Sequence, residues 1–215
     1  MTSKPLCSSS RLDYFPPLEK FDDDCYELYS DEKVMLPFIP QLYKMDPFAF
    51  KERRNGHRLK CLNQNCFLDI VHRESGDFLG TCGFREFRSI PIENLTVEED
   101  HIFHCENAAS KGSPRIGEFG VNICHRYQRQ GFCTEAFFQM LRFSLEKLNC
   151  TEIEGVTMTG NTPMRNFFEK FGLYVAEKVY INESGQRNKK QLNMNDVEHI
   201  VYQGNIRSLL SKCGH

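Results

Sequence analysis

The sequence predicts a single domain of mixed α/β class, with a central sheet flanked by helices. Two observations carry this prediction. Helix signals dominate up to about residue 60, and then the hydrophobic period changes, so that residues 66–72 and 78–87 are predicted to form two strands joined by a turn at 74–77. From residue 115 onward, strand-like and helix-like stretches follow one another. The 215 residues, 40% of them hydrophobic, are enough to bury a core of this kind.

The N-terminal third carries helix start and stop signals. Residues 11–18 are expected to form a short strand or entry segment that ends at two prolines. Aspartates predict a capped helix over residues 22–29, and a second helical stretch from residue 31 ends before a proline. Asp46-Pro47 places aspartate at a cap and proline in the first turn, which predicts a third helix over residues 46–59.

The remaining elements follow from changes in hydrophobic period. After the hairpin, residues 88–114 are polar and mixed, a long excursion of the kind that often carries function. The elements expected after it are a strand at 115–124, a helix at 134–148, a strand at 152–159, a helix at 162–172 and a strand at 173–181, and then a polar loop at 182–192 and a last strand at 197–203. The basic residues Arg187, Lys189 and Lys190 are interpreted as part of an exposed, flexible loop.

The domain is expected to span residues 11–203. Residues 1–10 are Ser-rich and expected to be mobile, and residues 204–215 form a short tail. A formal net charge of −2 argues against a general nucleic-acid binder, which carries a basic excess. The sequence shows neither an apolar run long enough to span a bilayer nor a secretory signal. We therefore expect a cytoplasmic protein, with the nucleus as the alternative, whose ten cysteines are reduced thiols.

Two clusters of metal-ligating residue types lack the spacing of a zinc site. His101, His104 and Cys105 lie close together, and Cys61 and Cys66 are five residues apart. Zinc sites use paired ligands at short, repeated spacings, and neither cluster has such a partner pair nearby. Loop histidines and core cysteines are the better interpretation, and we expect no metal.

Residues 126–137, RYQRQGFCTEAF, place one glycine between a strand-like segment and a helix. The N–H groups at a helix N-terminus are free and carry a partial positive charge. Gly131 lets the backbone approach a ligand without an intervening Cβ, and Arg126 and Arg129 add positive charge. These properties suit a pyrophosphate, while an ordinary strand-to-helix turn is the alternative for a single glycine.

The wider stretch EFGVNICHRYQRQGFCTEAF, residues 118–137, resembles the acetyl-CoA-binding motif of the GCN5-related N-acetyltransferase (GNAT) superfamily. The family pattern Gln/Arg-x-x-Gly-x-Gly/Ala corresponds here to Gln128-x-x-Gly131-x-Cys133. A second motif, GNTPMRNFFEKFGL at residues 160–173, is similar to the family helix that carries Asn and Glu-Lys-x-Gly. The stretches RLDYFPPLEKFDDD and HRESGDFLGTCGF are similar to the ribosomal-protein-alanine acetyltransferase (RimJ/RimL-like) branch, and the resemblance covers about residues 11–203.

The resemblance implies the GNAT acyl-CoA N-acyltransferase fold, a mixed sheet whose two central parallel strands, here 115–124 and 152–159, splay apart. Acyl-CoA would enter the gap and pair with one strand as an added strand would. No metal is implied. The residues implied to bind acetyl-CoA are Val121, Asn122 and Ile123 at the pantetheine, Gln128, Arg129, Gln130, Gly131, Phe132, Cys133 and Thr134 around the pyrophosphate, and Asn161 and Phe168 near the splay.

Two residues depart from the family pattern. Cys133 replaces the usual Gly or Ala, and we interpret it as a packed thiol. Phe168 stands where the family often has a tyrosine that protonates the leaving CoA thiolate, and a phenyl ring donates no proton. Members of the RimJ/RimL-like branch commonly lack this tyrosine, so its absence is compatible with catalysis.

Glu118 is the acid–base candidate. It lies in Gly117-Glu118-Phe119-Gly120, which matches the Glu-x-Gly segment of the branch. An alkylammonium with a pKa of ~10 must lose a proton before its nitrogen can attack a thioester, and a carboxylate could take that proton or bind the ammonium. A solvated glutamate or an ion-pair partner is the alternative role.

The resemblance implies an N-acetyltransferase that moves the acetyl group of acetyl-CoA to a primary amine, in a ternary complex and by direct attack. The acceptor, which could be a peptide N-terminus or a small amine, cannot be read from the sequence, and neither can the oligomeric state. A non-catalytic acyl-CoA-binding or interaction module that kept the fold is the alternative, favoured by Phe168 and Cys133. An α/β scaffold without a CoA site is a third hypothesis.

Overall fold

The computed structural model of the chain describes residues 4–37, 40–62, 64–90, 114–182 and 185–212. Within these residues the strands form one sheet. They are β1 (Cys7–Ser8), β2 (Leu12–Phe15), β3 (Cys66–His72), β4 (Phe78–Ser89), β5 (Arg115–Ile123), β6 (Cys150–Met158), β7 (Tyr174–Ile181), β8 (Arg187–Asn188) and β9 (Val197–Asn205). The order is β1-β2-β3-β4-β5-β6-β9-β7-β8. Neighbouring strands are antiparallel except for the central pair β5 and β6, which is parallel.

Helices cover both faces of this sheet, which confirms the predicted mixed α/β class. They are α1 (Asp22–Ser30), α2 (Glu32–Met35), α3 (Pro47–Lys60), α4 (Phe132–Lys147), α5 (Thr162–Lys170) and α6 (Ile206–Ser211). Residues of α4, α5 and α6 share one apolar cluster with the sheet, and residues of α1, α2 and α3 share another. No helix in the described parts of the chain is long and apolar enough to cross a membrane.

Caps explain where the helices begin. The Asp46 side chain accepts hydrogen bonds from the N–H groups of Phe48 and Ala49, both at 3.0 Å, and Pro47 occupies the first turn of α3. Helix α4 begins at Phe132, two residues earlier than the sequence predicts. Gly131 adopts a left-handed conformation with φ of +82°, so the chain turns directly into the helix.

Several boundaries lie outside the predicted ranges. Residues Cys7–Ser8, expected to be mobile, pair with β2, and the C-terminal tail contains α6. The polar loop predicted at 182–192 contains β8, which pairs with the end of β7. The first two residues of the excursion 88–114 belong to β4, residue 114 directly precedes β5, and residues 91–113 lie outside the described residues.

The two central strands separate along their length. Paired positions run from Arg115↔Cys150 to Phe119↔Gly155, yet β5 continues to Ile123 and β6 to Met158. Beyond Phe119 each strand keeps its antiparallel neighbour on the outer side only. The predicted splay is therefore confirmed, and it leaves the inner backbone edge of each strand open.

A buried ion pair joins α3 to the sheet. The Arg54 guanidinium donates to the Asp69 carboxylate at 2.7 and 3.0 Å, and both side chains are almost fully buried. Arg54 also donates to Asp22 at 2.9 Å at the start of α1. This network fixes the N-terminal helices on the face of the sheet opposite to α4.

Candidate active site

The gap between β5 and β6 opens into a cavity of about 560 Å³. Its walls are residues 120–123 of β5 and residues 156–158 of β6. One end reaches the turn that precedes α4, at Gln128 and Arg129, and the other end reaches Glu118 and Arg187, where β5 and β6 begin to separate. His199 also lines the cavity. The cavity therefore connects a helix N-terminus with a cluster of charged side chains.

The N-terminus of α4 has no side-chain cap. By contrast, Asn161 caps α5 and Asn205 caps α6 through side-chain oxygens. In the turn before α4, Arg129 and Gly131 both have positive φ, at 60° and 82°. An uncapped helix N-terminus presents free N–H groups and a partial positive charge to an anion. The geometry therefore fits a pyrophosphate.

Side chains of the turn stabilise its shape. Gln130 is exposed and donates to the carbonyl oxygen of Arg126 at 3.0 Å. Arg11 donates to the carbonyl oxygen of Gln130 at 3.1 Å, pairs with Glu135 at 2.8 Å and lies 4.2 Å above the Phe132 ring. Arg11 adds a cation beside the helix N-terminus that the sequence analysis missed.

The polar side chains along the gap bond to its walls. The Gln128 amide donates to the carbonyl oxygen of Ile123 at 3.0 Å. Buried Asn122 points its amide nitrogen at Tyr29 Oη, 3.3 Å away. Asn161 donates to Thr157 Oγ1 at 2.8 Å. These side chains hold the walls in place, and the strand backbone is left to contact a ligand.

The structure brings most of the predicted site residues to one cavity. Those that line it are Glu118, Val121, Asn122, Ile123, Gln128, Arg129, Cys133, Asn161 and Phe168. Four others, Gln130, Gly131, Phe132 and Thr134, do not line it and belong to the turn and the first turn of α4. Phe132 is buried in the core, so only its backbone is in a position to contact an anion.

Phe168 and Cys133 form an apolar part of the wall. Phe168 is 2% exposed and packs over Gly155, where an added Cβ would come within 2.3 Å of the ring. Burial raises the pKa of the Cys133 thiol to about 12, so the thiol stays protonated at neutral pH. This agrees with the interpretation of Cys133 as a packed thiol. Neither residue supplies an acid near neutral pH.

Ion pairs occupy the polar end of the cavity. Arg187 donates to Glu118 Oε2 and to Glu154 Oε1, both at 2.5 Å. Arg85 lies 3.7 Å from the other oxygen of Glu118, and Arg88 donates to Glu154 at 2.6 Å. Burial raises the pKa of Glu154, but hydrogen bonds from the two arginines outweigh it and hold that pKa below its ordinary value.

The interpretation of Arg187 as an exposed loop residue is wrong. Arg187 pairs with Ile181 in the β7–β8 hairpin, and its guanidinium reaches carboxylates on β5 and β6. Lys189 and Lys190 are exposed as expected. Glu118 is an ion-pair partner, the alternative that the sequence left open, and its catalytic role stays a prediction.

His199 is a cavity residue that the sequence analysis missed. It lies on β9, and its Nδ1 is 2.8 Å from the carbonyl oxygen of Val197. Burial and the positive charges of Arg187 and Arg85 lower the pKa of His199 below its ordinary value. The only sequence signal is its place in a predicted strand, which does not reveal the face it occupies.

In the described parts of the chain, no group of three or more His, Cys, Asp or Glu side chains could hold a metal ion. Cys66 is buried in the core and Cys61 is half-buried beside it. The cluster of His101, His104 and Cys105 lies outside the described residues.

The family model described as "Acetyltransferase (GNAT) domain" matches residues 11–174. No curated protein matches the chain. Solved structures match the chain, and the three described below cover 92%, 93% and 94% of it. An acetyltransferase from Salmonella typhimurium that modifies the N-terminal serine of a 50S ribosomal subunit protein is 11% identical, with 96% of its chain covered and a TM-score of 0.64. RimL, a ribosomal α-N-protein acetyltransferase in complex with coenzyme A, is 10% identical, with 97% covered and a TM-score of 0.65.

A third similar structure is a spermidine N-acetyltransferase (SpeG) chimera from Vibrio cholerae and hSSAT, which is 14% identical, with 99% of its chain covered and a TM-score of 0.62. At these identities the structural likeness shows the fold. The family match spans more than half of the sequence, including the glycine turn and the splayed strands. The chain belongs to the GNAT acetyltransferase family.

Proposed function

We propose that the protein transfers the acetyl group of acetyl-CoA to a primary amine. The observation that carries the proposal is the cavity between the splayed strands, which runs from an uncapped helix N-terminus to a charged end. The pyrophosphate would lie on the N–H groups of residues 129–134, with Arg11 and Arg129 nearby. The pantetheine would add to the open edge of residues 121–123 as a further strand would.

Direct attack of the amine on the thioester is compatible with the residues that line the cavity. The neutral amine nitrogen forms a bond to the thioester carbonyl carbon, and the carbon–sulfur bond then breaks. Strand N–H groups near Val121 would polarise the carbonyl oxygen. CoA thiolate has a conjugate-acid pKa of ~8.5, so it can leave, and through solvent it takes up the proton that the attacking nitrogen loses as the amide forms. Phe168, which cannot donate a proton, is compatible with this route.

The acceptor is proposed to be a peptide N-terminus or a small amine. The similar structures include enzymes named for an N-terminal serine of a ribosomal protein and for spermidine. The resemblance of residues 11–24 and 72–84 to the RimJ/RimL-like branch favours a protein N-terminus. Glu118 lines the cavity, and an acceptor ammonium that displaced Arg187 from it would pair with this carboxylate.

An acceptor screen tests the proposal. Purified protein is incubated with acetyl-CoA and, separately, with peptides that begin with Ser or Ala and with spermidine, and free CoA thiol is measured. We expect acceptor-dependent release of CoA for at least one of these amines. Binding of acetyl-CoA without turnover of any of them would favour the non-catalytic module, for which Phe168 and the ion-paired Glu118 are the supporting observations.

Glu118→Gln tests the predicted role of this carboxylate. The substitution keeps the size of the side chain and removes its charge and its ability to take a proton. We expect lower turnover, because the acceptor ammonium loses either its base or its counter-charge. Full turnover of the variant at every pH would show that Glu118 is only the structural partner of Arg187.

A further inference from the structure

We propose that His199 is the general base that removes the proton from the acceptor ammonium. The proposal rests on the acetyl transfer proposed above and assigns a proton acceptor to the same site. It starts from three observations: the position of His199 in the sheet, the hydrogen bond of its Nδ1, and the charges around its ring.

The sheet register places His199 at the gap. On β9 it lies directly opposite Met158, one of the residues that line the gap. Cross-strand partners share a face of the sheet, and so do alternate residues along a strand. Met158 therefore shares a face with Glu154, which lies opposite Glu118 on β5. His199, Glu154 and Glu118 thus lie on one face of the sheet, with His199 at the level of Met158, four residues along β6 from Glu154.

This face is the one opposite to α4. Phe119 points the other way and packs on Phe137 of α4, with ring centroids 5.2 Å apart. The cofactor's pyrophosphate would lie at the N-terminus of α4, whereas His199 faces the other side of the gap. An acceptor that enters from the side of His199 meets the thioester without passing the cofactor, as direct attack in a ternary complex requires.

The hydrogen bond of His199 fixes which nitrogen can take a proton. The carbonyl oxygen of Val197 can only accept, so Nδ1 carries the hydrogen in their 2.8 Å contact. In the neutral ring Nε2 then has a free lone pair. In the proposed step one N–H bond of the ammonium breaks and its proton moves to Nε2. The amine nitrogen keeps the electron pair of that bond and attacks the thioester with it.

The charges around the ring favour its neutral form. Directly opposite His199, β6 and β7 present the apolar side chains Met158 and Val179. The charged groups that act on the ring are Arg187 on β8 and Arg85 on β4, which oppose protonation, and Glu118 on β5, which favours it. Burial is the largest influence and disfavours the cation, the hydrogen bond to Val197 favours it, and the net effect lowers the pKa of His199.

The lowered pKa of His199 determines how kcat/KM should change with pH. A His pKa below the usual ~6.5 means that the ring is a competent base throughout the neutral range. kcat/KM should therefore rise with pH through an acidic limb that lies below pH ~6.5, and this limb belongs to His199. Glu118 is a weaker candidate for the base, because Arg187 must first release its Oε2.

His199→Asn is the sharpest substitution. The asparagine amide nitrogen can still donate to the Val197 carbonyl, but the side chain has no counterpart of Nε2. We expect kcat with an N-terminal serine peptide, or with spermidine if that is the amine acetylated, to fall by about 10²-fold or more at pH 7. The acidic limb should disappear, added imidazole should restore part of the rate, and stabilisation by acetyl-CoA should be unchanged. His72→Asn, which makes the same change at the end of β3, is the matched control.

The outcomes separate the two proposals. If the wild-type protein acetylates an amine and His199→Asn keeps its rate and its acidic limb, His199 is not the base and the proposed transfer stands. If His199→Asn loses stabilisation by acetyl-CoA or is not rescued by imidazole, its role is structural and the inference is overturned. If the wild-type protein acetylates none of the amines in the acceptor screen, the proposed transfer fails and the inference with it.

Discussion

Replacing Arg187 by glutamine tests whether the charged end of the cavity is part of the folded core. The substitution removes both 2.5 Å ion pairs, to Glu118 and to Glu154, and leaves each carboxylate with one arginine. Glu154 is 2% exposed and depends most on its partners. The expected result is therefore a loss of stability that exceeds the effect of removing a surface charge.

The size of the loss follows from burial. Removing one partner of a fully buried ion pair costs about 3–5 kcal/mol, and an exposed pair contributes at most ~1 kcal/mol. Arg187 is 27% exposed and Glu154 keeps Arg88, so we expect an intermediate loss of about 2–3 kcal/mol. For a domain of this length each kcal/mol corresponds to ~2–4 °C, so Tm should fall by roughly 4–12 °C.

Urea unfolding at pH 7 measures the loss, with Lys189→Gln as the matched control because it removes a charge from an exposed neighbour in the same segment. The pKa of Glu154 is lowered in the folded state, so its contribution is present above its unfolded pKa of ~4.3 and is lost as pH falls through the folded value. The difference between Arg187→Gln and wild type should therefore shrink below pH ~4. Equal effects of the two substitutions at pH 7 would refute the reasoning.

Three further predictions concern the core and the cavity wall. Arg54→Met should lower the free energy of unfolding by about 3–5 kcal/mol, because it leaves Asp69 buried without its guanidinium; a loss under 1 kcal/mol in urea unfolding would contradict this. The Cys133 thiol, with a pKa of about 12, should react only slowly with a thiol reagent at pH 8, at a rate limited by local opening of the structure. Rapid labelling of Cys133, identified by mass spectrometry, would contradict this and show an activated thiol. Gly155→Ala should displace the Phe168 ring, since the new Cβ would lie 2.3 Å from it, and an unchanged Tm would contradict that packing.

Local signals explain why much of the fold could be predicted. Asp46-Pro47 starts α3 through contacts within three residues, and Gly131 starts α4 through its own backbone conformation. The turn before α4 and the two central strands follow from such signals. They bring together most of the residues that the family resemblance implies.

The charged end of the cavity could not be predicted because it depends on register. Arg187 and Lys189 lie in the same polar stretch, and only the pairing of β7 with β8 turns Arg187 towards the carboxylates. His199 faces the gap because β9 pairs with β6 at Met158, which no local pattern reveals. Arg11 reaches Glu135 across 124 residues of sequence.

The most direct test of the central claim is thermal unfolding with and without excess acetyl-CoA. A ligand that binds only the folded protein at 100 times its dissociation constant adds about 2.7 kcal/mol, so Tm should rise clearly. Gly131→Asn tolerates the left-handed backbone but adds a side chain to the turn, and Gly76→Asn makes the same change at a hairpin turn with φ of +75°. We predict a Tm shift for wild type and Gly76→Asn that is lost in Gly131→Asn. No shift for wild type at millimolar acetyl-CoA would contradict the account.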